Sequence, residues 1–128
     1  PQDYKNAVKW FKLAAEQDVA LAQFQVGWMY SQGKGVPQDY KTAVKWYKLA
    51  AEQGVANAQS NLGTMFYNGE GVIQDNVYAH MWWNIAASSG NKDAVSGRDA
   101  VSKRMTPSQL ETAQNLAREC VRKNYKGC

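Results

Sequence analysis

Apolar residues recur along the middle of the chain with the spacing of two α-helices, predicted at about residues 40–53 and 56–68. Each segment carries apolar residues at intervals of three and four positions, which line up on one side of a helix and predict a buried stripe. The first stripe comprises Ala43, Tyr47, Ala50 and Ala51, and the second comprises Ala58, Leu62, Met65 and Phe66. Two short helices joined by a few residues predict a helical hairpin.

Capping residues mark where these helices begin and end. Asp39 stands where a side-chain oxygen accepts hydrogen bonds from the first turn of a helix, and Gly54 stands where a left-handed residue ends one. The neighbouring segments have Asp3, Asp75, Asp18 and Gly90 in the equivalent places. The recurrence of the aspartates at one period predicts helix caps rather than a general acid and base, which would have to converge on one cleft.

The hairpin is a repeat. Residues 1–36 and 37–72 differ at 12 of their 36 positions, so 24 positions are identical. A third unit, predicted over 73–105, begins in the same way and diverges after Gly90, which leaves open how its second helix packs. The chain is therefore predicted to be one solenoid domain, and it begins within a recurring loop motif, as a trimmed or processed product would.

Glycines occur inside two of the predicted helices, at Gly27 and Gly63. Because glycine costs about 1 kcal/mol relative to alanine in a helix, each position needs a reason. Close approach of the two helices of a hairpin supplies one.

A final helix is predicted at about residues 107–124 within a capping segment, 106–128. Thr106 and Gln109 have the spacing of a capping box, and Pro107 suits the first helical position. With one apolar and one polar side, this helix is expected to cover the last interface of the stack.

The small and aromatic residues of the repeat resemble those of the Sel1-like repeat family. The resemblance rests on Trp46-Tyr47, Ala50-Ala51, Gly54, Ala58-Gln59, Leu62-Gly63, Met65-Phe66 and Gly69-x-Gly71-Val72. Tetratricopeptide repeats are the near relative but have a 34-residue period. The resemblance implies an all-α fold, an α/α superhelical solenoid that acts as an adaptor or scaffold for other proteins, without catalysis or a cofactor. It also implies a bacterial protein that is periplasmic or secreted.

The two cysteines, Cys120 and Cys128, form the only possible pair. Because the resemblance implies an oxidising compartment, we expect a disulfide that ties the chain end to the last helix. With His80 as the only histidine, a Cys/His zinc site is not expected, and His80 replaces valines of the other units, which favours packing.

The net charge and one short motif leave two alternative functions open, namely nucleic-acid binding and recognition of penicillin by an enzyme. A net charge of +4 and recurrent aromatic residues would suit a nucleic-acid-binding repeat, although a helical aromatic stripe more often forms core. Ser31 and Lys34 have the Ser-x-x-Lys spacing of penicillin-recognising enzymes, but the next unit has Tyr67 and Glu70 there. No segment approaches the roughly 18 apolar residues of a membrane span.

The first helices of the repeats are predicted to form a concave face that binds a protein or peptide with acidic and apolar parts. Lysines line this face in the first two units, and less polar residues replace them in the third. The predicted contact residues are Lys5, Lys9, Lys12, Lys41, Lys45, Lys48, Val77, Met81, Trp82 and Asn84.

Overall fold

The computed structural model describes residues 2–128, so Pro1, the first residue of the predicted first repeat, lies outside the described part. Within it, the helices are α1 (Gln2–Glu16), α2 (Ala20–Gln32), α3 (Tyr40–Glu52), α4 (Ala56–Asn68), α5 (Asn76–Ser88), α6 (Lys92–Ser102) and α7 (Pro107–Arg122). The prediction of an all-α solenoid of hairpins is confirmed.

The hairpins α1–α2, α3–α4 and α5–α6 turn through residues with left-handed backbones. Asp18 has φ 67°, and Gly54 and Gly90 both have φ 87°. Aspartate adopts this conformation less readily than glycine does, yet the first hairpin makes the same turn. Buried side-chain hydrogen bonds close the first two hairpins: the amide nitrogens of Gln23 and Gln59 donate to the carbonyls of Ala15 and Ala51.

The predicted caps form at three helices. Asp39 accepts a hydrogen bond from the amide of Thr42 at 3.2 Å, and Asp75 accepts one from the amide of Val77 at 2.9 Å. Thr106 and Gln109 form both bonds of the capping box at the start of α7. Asp3 is different, because α1 begins at Gln2 and Asp3 lies inside its first turn. The prediction that Asp3 is an N-cap is therefore wrong, although a carboxylate still suits that end of the helix dipole.

Gly27 and Gly63 lie at close helix contacts, as predicted, but the partner helix belongs to the next hairpin. A Cβ on Gly27 would lie 2.8 Å from the ring of Tyr47 in α3, and one on Gly63 would lie 2.5 Å from the indole of Trp83 in α5. The two glycines therefore allow close packing between successive repeats rather than between the two helices of one hairpin. In the divergent third unit, Gly97 of α6 makes room for the other side of the same Trp83 indole.

Helix α7 packs along α5, and its buried residues also reach the core formed with α6. Ala117 and Cys120 of α7 join the core that contains Met81 and Ile85 of α5. The segment that follows α7 returns to the second repeat, where the Gly127 amide donates to Glu52 at 3.0 Å and the Tyr125 ring lies over Gly54. A disulfide joins Cys120 and Cys128 and holds this segment against α7.

Candidate functional site

Six lysines on the first helices of repeats one and two are exposed, and we call this set the lysine face. It consists of Lys5, Lys9 and Lys12 of α1 and Lys41, Lys45 and Lys48 of α3. Between residues 2 and 128, ion pairs join Arg98 to Asp99 and Arg122 to Glu119, and none involves these six lysines. Even Glu52, one turn beyond Lys48, instead accepts a hydrogen bond from the chain end. None of the six lysines is therefore held in an ion pair within residues 2–128, although hydrogen bonds from Thr42 and the charge of Lys45 lower the pKa of Asp39.

The predicted contact residues of the third repeat do not continue this surface. Met81 and Trp82 are each 1% exposed, so their prediction as an accessible apolar anchor is wrong. Met81 lies beneath α7, and Trp82 is part of the same core. Val77 and Asn84 are half-buried, and Asn84 accepts a hydrogen bond from Arg98 at 3.4 Å.

The recurrent tryptophans differ in burial, although they occupy equivalent positions of the repeats. Trp46 packs against Ala15 and Val26 of the preceding hairpin. Trp82, its equivalent in the third repeat, is buried, whereas Trp10 in the first repeat is 72% exposed. The expectation that helical aromatic residues form core is confirmed for Tyr47, Trp82 and Trp83 and is wrong for Trp10 and Phe11, which are exposed. Because Tyr47, Trp82 and Trp83 are packed, the recurrent aromatic residues do not form a continuous row on which bases would stack.

The Ser31 and Lys34 side chains do not meet. The Ser31 hydroxyl donates to the carbonyl of Trp28 at 2.8 Å, and its side chain is buried. The Lys34 ammonium lies over the ring of Tyr4, 5.5 Å from its centre. Without a base beside it, Ser31 lacks the activation that nucleophilic catalysis needs.

His80 is 3% exposed in α5, which agrees with the packing role expected from its valine equivalents. Burial lowers its pKa, Arg98 lowers it further, and Asp99 acts in the opposite direction. Its Nδ1 has no hydrogen-bond partner. Across residues 2–128, no group of three or more His, Cys, Asp or Glu side chains is placed to hold a metal ion.

A cleft of about 350 Å³ lies between α2, α3 and α4, and sequence reasoning did not find it. Three aromatic residues and several polar groups line it, among them Trp28, Tyr40, Tyr47, Ser31, Asn61 and Glu70. At its base, the hydroxyls of Tyr47 and Ser31 are 3.4 Å apart. The sequence signal for this cleft was the difference between repeats, because Ser31 and Tyr47 take the places of Tyr67 and Trp83.

Glu70 and Tyr40 form the polar rim of the cleft. A hydrogen bond to Glu70, together with the negative charge of that carboxylate, raises the pKa of Tyr40. The Gln38 amide donates to the Tyr40 hydroxyl at 3.2 Å and to the Ser31 carbonyl at 2.9 Å, which fixes the rim against the end of α2. Glu70 also accepts a hydrogen bond from the Asn68 amide at 3.3 Å, so its carboxylate is held at the mouth of the cleft.

Comparison with known proteins places this architecture in a family. The Sel1 repeat family model matches residues 1–19, 20–55 and 56–91. Its unit spans the second helix of one hairpin and the first helix of the next. Two of the matches have the 36-residue length found here, counted from a different starting helix. No curated protein matches the sequence significantly.

The solved structures that are similar to the chain include the following two. One is a protective antigen present in uropathogenic Escherichia coli strains that displays an SLR fold, with 36% identity and a TM-score of 0.91 over 94% of this chain. The other is a Sel1 repeat protein from Oxalobacter formigenes, with 38% identity and a TM-score of 0.70 over 73% of this chain. The chain spans 27% of the length of the first and 70% of the second.

Sel1 repeat proteins generally mediate interactions between proteins and are typically scaffolds rather than enzymes. No helix within residues 2–128 has both the length and the apolar character needed to cross a membrane. The three matched repeats, the hairpin stack and the likeness to both structures agree, and this chain belongs to the Sel1 repeat family.

Proposed function

We propose that the protein binds an acidic segment of a partner protein across the lysine face. The observation that carries this proposal is the set of six exposed lysines at matching positions of α1 and α3, none in an ion pair. Like charges in register repel one another, and an acidic segment laid across both helices relieves that repulsion. Such surface charges chiefly raise the association rate and make it sensitive to salt.

Apolar contacts beside the lysines supply affinity that charge alone does not. Leu13 and Leu49, at matching positions of α1 and α3, are 57% and 42% exposed. Their equivalent in the third repeat is Ile85, which packs against α7. The chain thus covers this helix position with its own amphipathic helix in repeat three. We infer that a partner segment with acidic residues and an apolar anchor covers the same position in repeats one and two.

The proposed setting is the bacterial periplasm or the exterior of the cell. The Cys120–Cys128 disulfide supports this location, because disulfides persist in oxidising compartments. Intact-mass measurement after thiol alkylation of protein taken from its native compartment tests it. Two alkylated cysteines would contradict the proposal.

Charge reversal tests the binding face. The double variant Lys9→Glu with Lys45→Glu is compared with Lys103→Glu, which follows α6 and lies off the lysine face, in capture from a native extract. The partner retained by the unaltered protein and by Lys103→Glu is expected to be lost from the double variant, and its binding should weaken as salt rises. Loss from Lys103→Glu with retention by the double variant would place binding elsewhere and overturn the proposal.

A further inference from the structure

The cleft between α2, α3 and α4 is open because of small differences between successive repeat junctions. At the next junction, between α4, α5 and α6, Trp83 fills the equivalent space. Its indole lies beside Gly97 and packs against Tyr67, with ring centres 5.7 Å apart, while its N–H donates to the Ser60 carbonyl at 3.0 Å. At the open junction, Tyr47 replaces the indole and Ser31 replaces the second ring, and their hydroxyls lie 3.4 Å apart at the base of a cleft that stays open.

The lining of this cleft favours a cation. Glu70 at its mouth makes no ion pair with any residue of the described chain, and no described lysine or arginine lines the cleft. Helices α2 and α4 end nearby, at Gln32 and Asn68, and the C-terminal end of a helix carries partial negative charge. The aromatic faces of the lining also attract positive charge.

We propose that this cleft binds the arginine side chain of a partner peptide. A guanidinium group is planar and can stack on Trp28 or Tyr40, and its several N–H groups match a carboxylate such as Glu70 bidentately. Further acceptors lie deeper, at the Asn61 amide and the Tyr47 and Ser31 hydroxyls. A lysine ammonium offers no flat surface for stacking, which is why arginine fits this lining better. The site is independent of the lysine face, so either proposal can fail alone.

Titration with a defined probe tests this assignment. The probe is N-acetyl-L-arginine amide, and its neutral isostere is the corresponding citrulline compound, each followed by NMR shifts of the Trp28 indole N–H and the Asn61 amide. Arginine is expected to give saturable shifts confined to the cleft, and citrulline is expected to bind at least about tenfold more weakly.

Two variants and a matched control distinguish binding in the cleft from general attraction to charge. Glu70→Gln keeps the shape of the carboxylate side chain and is expected to weaken arginine binding roughly fivefold to tenfold. Ser31→Tyr places at this junction the residue found at position 67, and it is expected to fill the cleft and abolish the shifts. Glu111→Gln removes the same charge from the exposed side of α7 and should change binding less than about twofold. A folded Ser31→Tyr variant that still binds, equal binding of citrulline, an unaffected Glu70→Gln variant, or no saturable shift would each overturn the proposal.

Discussion

Helices α3 and α5 occupy the same place in successive repeats, yet equivalent residues are exposed on α3 and buried on α5. Lys45 of α3 is exposed, and its equivalent Met81 of α5 is 1% exposed; Leu49 is 42% exposed, and its equivalent Ile85 is 2% exposed. The difference lies in what covers the helix. In the third repeat, α7 lies over α5. Met81 and Ile85, which replace a lysine and a leucine, are buried between the two helices. One helix position therefore serves as surface in one repeat and as core in the next.

This comparison restricts where a partner can bind. The chain end covers the third repeat and reaches the second at Glu52 and Gly54. The part of the first-helix surface that stays open is the lysine face of α1 and α3. A partner that lay across all three repeats would have to displace α7, against both its buried core residues and its disulfide.

Truncating the matched apolar residues gives the largest expected difference between the two repeats. Ile85→Ala removes a buried side chain between α5 and α7 and is expected to lower the free energy of unfolding by about 2 to 4 kcal/mol. Leu49→Ala, at the same helix position on the open repeat, is expected to cost less than about 1 kcal/mol. Urea denaturation monitored by circular dichroism measures both. Equal losses would show that α3 and α5 are not covered differently.

Removing the disulfide tests how firmly the chain end is held. Cys128→Ser opens a loop with a sequence separation of 8 and is expected to lower stability by about 2 to 3 kcal/mol in the chain-entropy model. Hydrogen exchange is expected to quicken at the Tyr125 and Gly127 amides and in the last turn of α7, with little change in α2. Faster exchange spread evenly over all repeats would contradict a local role.

The glycine contacts between repeats predict a smaller loss. Gly63→Ala gains helix propensity, but its methyl would lie 2.5 Å from the Trp83 indole, which the Ser60 carbonyl holds by a hydrogen bond. We expect a net loss of about 1 to 2 kcal/mol in the free energy of unfolding, because overpacking outweighs propensity. Gln114→Ala, on the exposed side of α7, serves as the control and is expected to change stability by less than about 0.5 kcal/mol. A higher melting temperature for Gly63→Ala would disprove the close contact.

His80 gives the smallest difference, and it depends on pH. Burial lowers the pKa of His80 below its ordinary value of 6.5, so below that pH the unfolded chain takes up a proton that the folded protein does not. This contribution to stability is therefore fully present above pH 6.5 and is lost as the pH falls through the lowered pKa of the folded protein. His80→Val, which restores the valine of the other repeats, is expected to lose this dependence. Identical pH profiles for the two proteins would rule it out.

Much of the fold could be predicted from the sequence because it depends on local signals. The apolar stripe of α3, the Asp75 cap and the capping box at Thr106 each follow from residues within one or two helical turns. The repeat period extended these predictions from one hairpin to the next. Asp3 is the exception, because the repeat period predicts a cap there, whereas α1 begins two residues earlier than the equivalent helices do.

The site was less predictable because it depends on contacts between distant segments. Helix periodicity gives the direction of Met81 from its own axis but does not reveal that α7 lies over it. The cleft likewise depends on Ser31, Tyr47 and Asn61, which come from three different helices. A comparison of repeats shows where side chains change size, and only the tertiary structure shows which changes leave a space.

Lysine footprinting shows directly whether the lysine face of α1 and α3 is the open binding surface. The protein is labelled with an acylating reagent in the presence of an acetylated octaglutamate peptide or its octaglutamine equivalent, and modification is read at each lysine by mass spectrometry. We expect octaglutamate to protect the six lysines of the lysine face in a salt-sensitive manner, whereas Lys92 in α6 and Lys103 after it stay reactive and octaglutamine protects none. Equal protection of all lysines, or protection confined to Lys92 and Lys103, would contradict it.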